Sequence, residues 1–248
     1  MYYTVDTLSS NFSKFISNTR LSVLNLIADQ DGIFDRDIES LVKKLNNLYQ
    51  SDKKRWIYGY DIARYLPEIF QLAFSEEVIK AVKRFGLKRP VMTASKIVLR
   101  CDMPHDYGFQ FPWHQDYAFN LGSENSVTVW IPLQDTLKEN GALEIIEGDY
   151  MSLERQKRLF QYNPDGTLDS ENTDLLNSDP SYSHKIIPVN AGQIMIFNQF
   201  MFHRSGKNTS SVPRLSIQVR FSDLDNSFFK SKNYKFSNTN SVLSFSDA

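Results

Sequence analysis

The segment 185–197, KIIPVNAGQIMIF, decides the fold class that this chain is expected to adopt. It holds two short runs, 185–189 and 193–197, that are rich in β-branched and other large apolar residues. Runs of this kind, separated by turn residues such as those at 190–192, predict β-strands. From about residue 91 onward the chain repeats this pattern without helical stretches between the runs. Many short strands with no helices between them predict an antiparallel barrel or a double-sheet jelly roll.

The other candidate strands in this part of the chain are 95–100, 127–133, 142–146 and 215–221. Asn140-Gly141 is a further turn signal. The segment 155–184 is polar and rich in Asn, Asp and Ser. Long loops of this kind are usually functional lids or disordered segments, so a lid over a site is one expectation.

The first third of the chain is predicted to be helical. Apolar residues recur at helical spacing between residues 38 and 48. Pro67 stands where a helix can begin, Ser75 fits an N-cap, and Gly86 fits a helix stop. We expect one domain with three parts, namely a helical N-terminal region (1–90), a β core (91–225) and a tail (226–248).

Composition excludes several classes of function. With 248 residues, 41% of them hydrophobic, and a net charge of −1, the chain has no basic surface for nucleic acid or an anionic membrane. No apolar run is long enough to span a bilayer, and no secretory signal is visible at the N-terminus. The single cysteine, Cys101, excludes an internal disulfide and fits a reducing compartment. These features predict a cytoplasmic protein, and they leave the oligomeric state open.

His114 and Asp116 form the first candidate for a metal site. Residues two apart on an extended segment point to the same side, so a His-x-Asp pair can direct two ligands at one point. A surface His beside a surface Asp is the more common meaning of such a pair. Large aromatic residues surround this one, however, and such a shell excludes water and orients ligands. They are Phe109, Phe111, Trp113, Tyr117 and Phe119.

His203 is the candidate for a third ligand, because it follows a long apolar stretch that is expected to be buried. A core histidine that bonds only to the backbone is the alternative. His105 and His184 compete for the same role, but they lie near a turn and in the polar segment, where a side chain is held less rigidly. Cys101 near His105 is expected to be a small buried hydrophobic residue and not a nucleophile.

Arg214 opens the last predicted strand. Alternation places Arg214, Ser216, Gln218 and Arg220 on one face of that strand, although its centre is expected to be buried. A buried arginine needs a carboxylate partner. That partner is either a bound ligand or an internal Asp or Glu, and the strand alone favours neither.

Three ordered strings resemble the phytanoyl-CoA dioxygenase family of Fe(II)/2-oxoglutarate oxygenases. They are Trp113-His114-Gln115-Asp116, the segment 141–150 (GALEIIEGDY), and the segment 203–208 (HRSGKN) followed by Arg214. The resemblance covers residues 66–221 approximately. Their order and spacing are far more specific than any one string.

This resemblance implies a mainly β fold with α-helices, in which a double-stranded β-helix (jelly-roll, cupin-like) core carries N-terminal helices. It implies His114, Asp116 and His203 as the Fe(II) ligands and as the catalytic centre, with O₂ as oxidant. Arg214 and Ser205 would bind the distal carboxylate of 2-oxoglutarate, and Trp130 and Gln115 would line the co-substrate site.

The expected reaction is hydroxylation of a C–H bond, with decarboxylation of 2-oxoglutarate to succinate and CO₂. Related halogenases carry a small residue where this chain has Asp116, so halogenation is not expected. The alternative is a catalytically inactive metal-binding or 2-oxoglutarate-sensing jelly-roll module. Arg100, Arg204 and Arg220 are possible anion contacts, which favours a small polar metabolite as substrate over a long-chain one.

Overall fold

The computed structural model describes residues 2–28, 34–93, 97–108, 110–118, 122–147 and 182–234. Its strands are β1 (Tyr3–Thr7), β2 (Pro90–Met92), β3 (Val98–Asp102), β4 (Val127–Pro132), β5 (Leu143–Glu147), β6 (Ser183–Ile187), β7 (Gln193–Asn198), β8 (Phe202–Arg204) and β9 (Arg214–Asp223). Its helices are α1 (Ser10–Ala28), α2 (Ile38–Ser51), α3 (Lys53–Ala63), α4 (Pro67–Ala73), α5 (Glu76–Phe85) and α6 (Ser227–Ser231). Among these helices, none combines the length and the apolar character needed to cross a membrane.

The strands form two antiparallel sheets. The major sheet has the order β1-β7-β4-β9-β2, with β3 also paired to β9. The minor sheet has the order β6-β5-β8. Residues of both sheets share one apolar cluster, in which Trp130 and Phe197 of the major sheet pack with Ile145 of the minor sheet. The two sheets therefore face each other, which confirms the predicted double-sheet jelly roll.

The helices cover the outer face of the major sheet. Ile16 of α1 and Leu72 of α4 are fully buried in a core that also contains Ile131 of β4 and Ile217 of β9. Strand β9 shows how the sequence produces this arrangement, because its odd-numbered residues from 215 to 221 are apolar and belong to that core. Its even-numbered residues point to the opposite face, between the sheets. The buried polar face of β9 thus lines the interior of the jelly roll.

The predicted helix boundaries follow from capping. Asp37 caps α2 by accepting hydrogen bonds from the backbone N–H groups of Glu39 and Ser40. Ser75 caps α5 through the Val78 N–H, and Gly86 ends that helix with a φ of 134°. Pro67 is the first residue of α4, as predicted. The predicted starts at Pro67 and Ser75 and the predicted stop at Gly86 are confirmed, whereas the cap at Asp37 was not predicted.

The structure contains elements that the sequence patterns did not reveal. The N-terminal region was predicted to be helical, but it begins with β1, which pairs with β7 at the edge of the major sheet. Strands β2 and β8 have three residues each and carry too few positions to show alternation. Most of the predicted lid 155–184 and the end of the tail 226–248 lie outside the described residues.

Candidate metal and co-substrate site

The structure brings His114, Asp116 and His203 together. All three are buried. Each residue offers one ligand atom, and these three atoms all lie within 4.8 Å of one another. The Nε2 atom of His114 is 3.9 Å from Oδ1 of Asp116, and the two imidazole rings are 4.1 Å apart between centroids. Two imidazoles and one carboxylate at such distances can occupy one face of a metal ion.

Backbone pairing positions the two histidines. The His114 N–H donates to the carbonyl of His203 at 3.1 Å, and the His203 N–H donates to the carbonyl of His114 at 3.1 Å. His203 lies on β8, in the middle of a strand that pairs with β5. The reciprocal bonds fix the distance between the two ligands, so the minor sheet determines the geometry of the site.

Asp116 is placed differently from the prediction. We expected His114 and Asp116 to share one extended segment, but Asp116 opens a short 3-10 turn, Asp116–Ala118. The alternation argument for this pair was therefore wrong, because the chain turns immediately after the bridge between His114 and His203. The turn still brings the carboxylate to the same point as the imidazole.

Backbone carbonyls set the tautomer of both histidines. The Nδ1 atom of His114 is 2.8 Å from the carbonyl oxygen of Pro112, and that of His203 is 2.9 Å from the carbonyl oxygen of Met201. A carbonyl can only accept, so each Nδ1 carries the proton and each Nε2 keeps its lone pair. Burial lowers the pKa of both imidazoles, most strongly for His114. Both rings are therefore neutral near pH 7 and able to bind a metal.

Two side chains that the sequence did not assign to the site hold Asp116. Its Oδ2 atom accepts a hydrogen bond from the hydroxyl of Thr128, and its Oδ1 atom accepts one from Arg220 at 2.9 Å. Burial raises the pKa of this carboxyl, but the charge of Arg220 and the neighbouring imidazoles outweigh burial and hold the pKa well below its usual range. Thr128 and Arg220 pair across β4 and β9, so only the strand register could have identified them together.

Arg214 has an internal carboxylate partner. The guanidinium is buried, donates to Oδ2 of Asp102 at 2.6 Å, and also donates to the carbonyl of Gly141. The sequence left open whether Arg214 pairs with a bound ligand or with an internal Asp or Glu. The structure shows the internal Asp. The register of β3 against β9 places Asp102 directly opposite Arg214.

The other residues expected at the co-substrate site are all buried. Ser205 follows β8, and its N–H donates to the carbonyl of Phe111 at 3.2 Å. The Gln115 amide donates to the carbonyl of Phe200 at 2.5 Å and so supports the loop before His203. Trp130 lies on β4 between the sheets and is 0% exposed.

Several buried polar atoms inside the jelly roll have no hydrogen-bond partner among the described residues. They include Nε1 of Trp130, Oγ of Ser216 and the Nε atoms of Arg214 and Arg220. Unsatisfied buried polar groups are uncommon and costly in native structures. N–H donors and a hydroxyl on neighbouring strands β4 and β9 suit an oxygen-rich anion, so these residues fit a carboxylate ligand such as 2-oxoglutarate. Ser216 was noted on the polar face of the strand but was not assigned to the site from the sequence.

The rejected candidates lie apart from this cluster. His105 is exposed at a turn with a φ of 56°, and His184 is exposed on β6, where its ring packs edge-on against Trp113. Cys101 is buried, and burial raises the pKa of its thiol, so it stays protonated as expected. The described members of the aromatic shell include Phe111, whose ring centroid is 4.3 Å from that of His114. Phe109 and Phe119 lie outside the described residues.

This chain is similar in sequence to several known proteins. One is "Phytanoyl-CoA dioxygenase domain-containing protein 1" of Danio rerio, 26% identical over 212 residues, which cover 83% of this chain and 67% of the relative. Another is "2-aminoethylphosphonate dioxygenase" of an uncultured bacterium, 26% identical over 161 residues, which cover 61% of this chain and 57% of the relative. The chain thus spans between about half and two thirds of the length of these relatives.

Solved structures share the fold. EctD from S. alaskensis with bound Fe superposes with a TM-score of 0.60 at 16% identity, covering 98% of this chain and 77% of EctD. The same protein with 2-oxoglutarate and 5-hydroxyectoine has a TM-score of 0.57 at 17% identity, over 90% of this chain and 73% of EctD. At such identity the likeness shows the jelly-roll fold with its helical layer. The profile of the family described as "Phytanoyl-CoA dioxygenase (PhyH)" matches residues 3–216, most of the chain, and the chain belongs to this family.

Proposed function

We propose that this protein is an Fe(II)/2-oxoglutarate-dependent oxygenase that hydroxylates a C–H bond of a small polar metabolite. The observation that carries the proposal is the buried group of two neutral histidines and one ionised carboxylate, inside a jelly roll of the phytanoyl-CoA dioxygenase family. His114, Asp116 and His203 would hold the iron and leave its opposite positions for the co-substrate and O₂.

The iron and its co-substrate would supply the oxidising power. In the overall reaction R–H, 2-oxoglutarate and O₂ give R–OH, succinate and CO₂, which balances in atoms and electrons. The residues of the chain orient and shield the site. Phe111 and Phe197 pack against the histidine rings and shield them, and Thr128 with Arg220 keeps the carboxylate ionised and in place.

The co-substrate would lie between the sheets, beside the unpartnered donors of Trp130, Ser216 and Arg214. Ser205 and Gln115 border this space as further candidates. The EctD structures support this reading, since that protein has been solved with Fe and with 2-oxoglutarate. Asp116 would supply the third ligand, and a carboxylate at this position supports hydroxylation over halogenation.

A cleft that borders Phe111, whose ring packs against His114, supports a small substrate. It has a volume of about 320 Å³ and is lined by Tyr107, Gln110, Phe111, Pro112, Glu144, Arg204, Ser205 and Lys207. Arg204 is bonded to Glu144 at 2.6 Å, whereas the Lys207 side chain is exposed over the Tyr107 ring. A volume at the lower end of the range for ligand pockets suits a metabolite that carries a polar or anionic group. The relative that is named for a small phosphonate supports the same class.

The test is succinate formation from 2-oxoglutarate with Fe(II) and ascorbate, with and without candidate small metabolites. The wild-type protein should produce succinate, and Asp116→Ala should reduce the rate to that of a reaction without protein. Asp61→Ala, on the exposed face of α3, is the matched control and should retain full activity.

Retained turnover in Asp116→Ala would contradict the assignment of the metal ligands. A wild-type protein that binds metal and 2-oxoglutarate but forms no succinate with any metabolite would favour the inactive binding module instead.

A further inference from the structure

Asp102 lies at the centre of a buried ionic cluster next to the co-substrate donors. Its Oδ2 atom accepts from Arg214 at 2.6 Å, and its Oδ1 atom accepts from Arg100 at 2.6 Å. The side chains of Arg214 and Asp102 are 1% and 9% exposed, so water screens this pair weakly. Burial raises the pKa of Asp102, but the charges of Arg214 and Arg100 outweigh it and hold the pKa below its usual range. The carboxylate is therefore ionised.

The strand register makes this contact a fixed part of the fold. Asp102 and Arg214 stand opposite each other on β3 and β9, and Arg100 stands opposite Ser216 two residues further along. Residues opposite each other in an antiparallel pair share a face. The cluster and the unpartnered hydroxyl of Ser216 thus lie on the same interior face.

The guanidinium of Arg214 has one donor available for a further anion. The side chains of Arg100, Arg214 and Asp102 together carry a net charge of +1. Arg214 already uses Nη1 for the Gly141 carbonyl and Nη2 for Asp102, and its Nε has no partner among the described residues. An incoming carboxylate must therefore share this guanidinium with Asp102.

From these contacts we propose that Asp102 competes with the distal carboxylate of 2-oxoglutarate for Arg214 and thereby sets the affinity of the protein for its co-substrate. This inference rests on the proposed function and concerns Asp102, which none of the three family strings includes. Two carboxylates at one guanidinium repel each other, and at low dielectric this repulsion weakens binding of the second one. Asp102 is in this sense a specificity-determining residue, since it acts only on ligands that carry a distal carboxylate.

The test compares two keto acids on Ni(II)-loaded protein by calorimetry. 2-Oxoglutarate has the distal carboxylate, and 2-oxobutyrate has the same keto acid end without it. Asp102→Asn keeps the shape and an acceptor oxygen for Arg214 but removes the charge. It should bind 2-oxoglutarate roughly tenfold more tightly than the wild type, the scale of one charge-assisted hydrogen bond. Its affinity for 2-oxobutyrate should stay unchanged.

A second pair of variants covers the case in which Asp102→Asn does not fold, since removing one member of a buried ionic group is destabilising. Arg100→Gln with Asp102→Asn keeps the net charge of the wild-type cluster at +1. Against Arg100→Gln alone, the double variant should again bind 2-oxoglutarate more tightly and 2-oxobutyrate equally well.

The two proposals fail in different ways. If the wild type binds 2-oxoglutarate but neither Asn variant binds it more tightly than its reference, Asp102 does not compete and this inference is overturned. Equal tightening of both keto acids would also overturn it, because the effect would not depend on the distal carboxylate. If the metal-loaded wild type and the Asn variants bind neither keto acid, the proposed function itself fails.

Discussion

At the scale of single residues, the indole N–H of Trp130 offers a way to distinguish ligand binding from core packing. It is fully buried between the sheets and has no partner among the described residues, although a buried N–H normally finds one. The N–H of Trp56 in the helical layer likewise has no partner in the described part of the chain, and its ring packs between Tyr49 and Tyr60. The two tryptophans thus form a matched pair, one at the proposed co-substrate site and one outside it.

Replacing Trp130 by Phe should weaken 2-oxoglutarate binding about tenfold, because one hydrogen bond to a charged ligand is lost. Metal affinity should not change, since Trp130 contacts none of the proposed metal ligands through a hydrogen bond. Trp56→Phe is the control and should leave both affinities unchanged. The measurement is calorimetric titration of the Ni(II)-loaded variants. Equal weakening in both variants would show that the loss is a general effect of packing.

The sequence predicted the members of the buried His-Asp-His group better than their supports. His114, Asp116 and His203 could be singled out as candidate ligands because their strings resemble a family and because a ligand set is a matter of residue type. Thr128 could not, because a threonine within a strand has no signal until the register places it opposite Arg220. The sequence could not identify the partner of Arg214 for the same reason. Only the pairing of β3 with β9 shows that Asp102, among the many acidic residues, lies opposite Arg214.

At the scale of elements, the close approach of two loops holds the end of β8 in place. Gly206 lies against Gly141 and Ala142, and a Cβ atom at Gly206 would be 2.3 Å from the Ala142 carbonyl oxygen. Gly141 adopts a φ of 86°, as its turn signal predicted, and its carbonyl accepts from Arg214. The loop after His203 and the Arg214 guanidinium are thus packed together through backbone atoms.

Gly206→Ala should therefore lower the free energy of unfolding by about 2 kcal/mol or more, because backbone must move to admit a methyl group. Gly108→Ala is the control, since the nearest atom to its Cβ is the Asp106 carboxylate at 3.2 Å, which can rotate away. Urea unfolding monitored by fluorescence measures both. Equal stability of the two variants would contradict the proposed packing of the loops.

Capping explains which elements were predictable. Helices α4 and α5 begin at the predicted signals Pro67 and Ser75, and those local signals agree with the structure. Strand β1 carries no such signal, because only its pairing with β7 makes it a strand. Elements that depend on distant partners are harder to predict than elements that are capped locally.

At the scale of the whole molecule, the helical layer and the major sheet share one core. Ile16 of α1 is 0% exposed and belongs to the same cluster as Val129 and Val219 of the sheet. The sheet whose other face carries Arg214 and Arg220 is therefore supported by the helices. Separating the helices from the sheet would expose the apolar faces of both layers to water.

We expect Ile16→Ala to lower the free energy of unfolding by about 2–5 kcal/mol, the usual range for removing a buried aliphatic side chain. Unfolding followed by far-UV circular dichroism and by tryptophan fluorescence should give one shared midpoint in the wild type and in the variant. Phe34→Ala, at an exposed side chain, is the control. Two separate midpoints would show that the helical layer unfolds independently of the sheet.

The pairing of β1 with β7 has a consequence for how the protein is made. Tyr3 leaves the ribosome long before its partner Phe197. Strand β1 therefore stays unpaired until β7 has been synthesised. Contacts this distant along the chain slow folding and leave strand edges open to other chains. The strand that completes the edge of the sheet in the finished molecule is thus open to other chains while this chain is being translated.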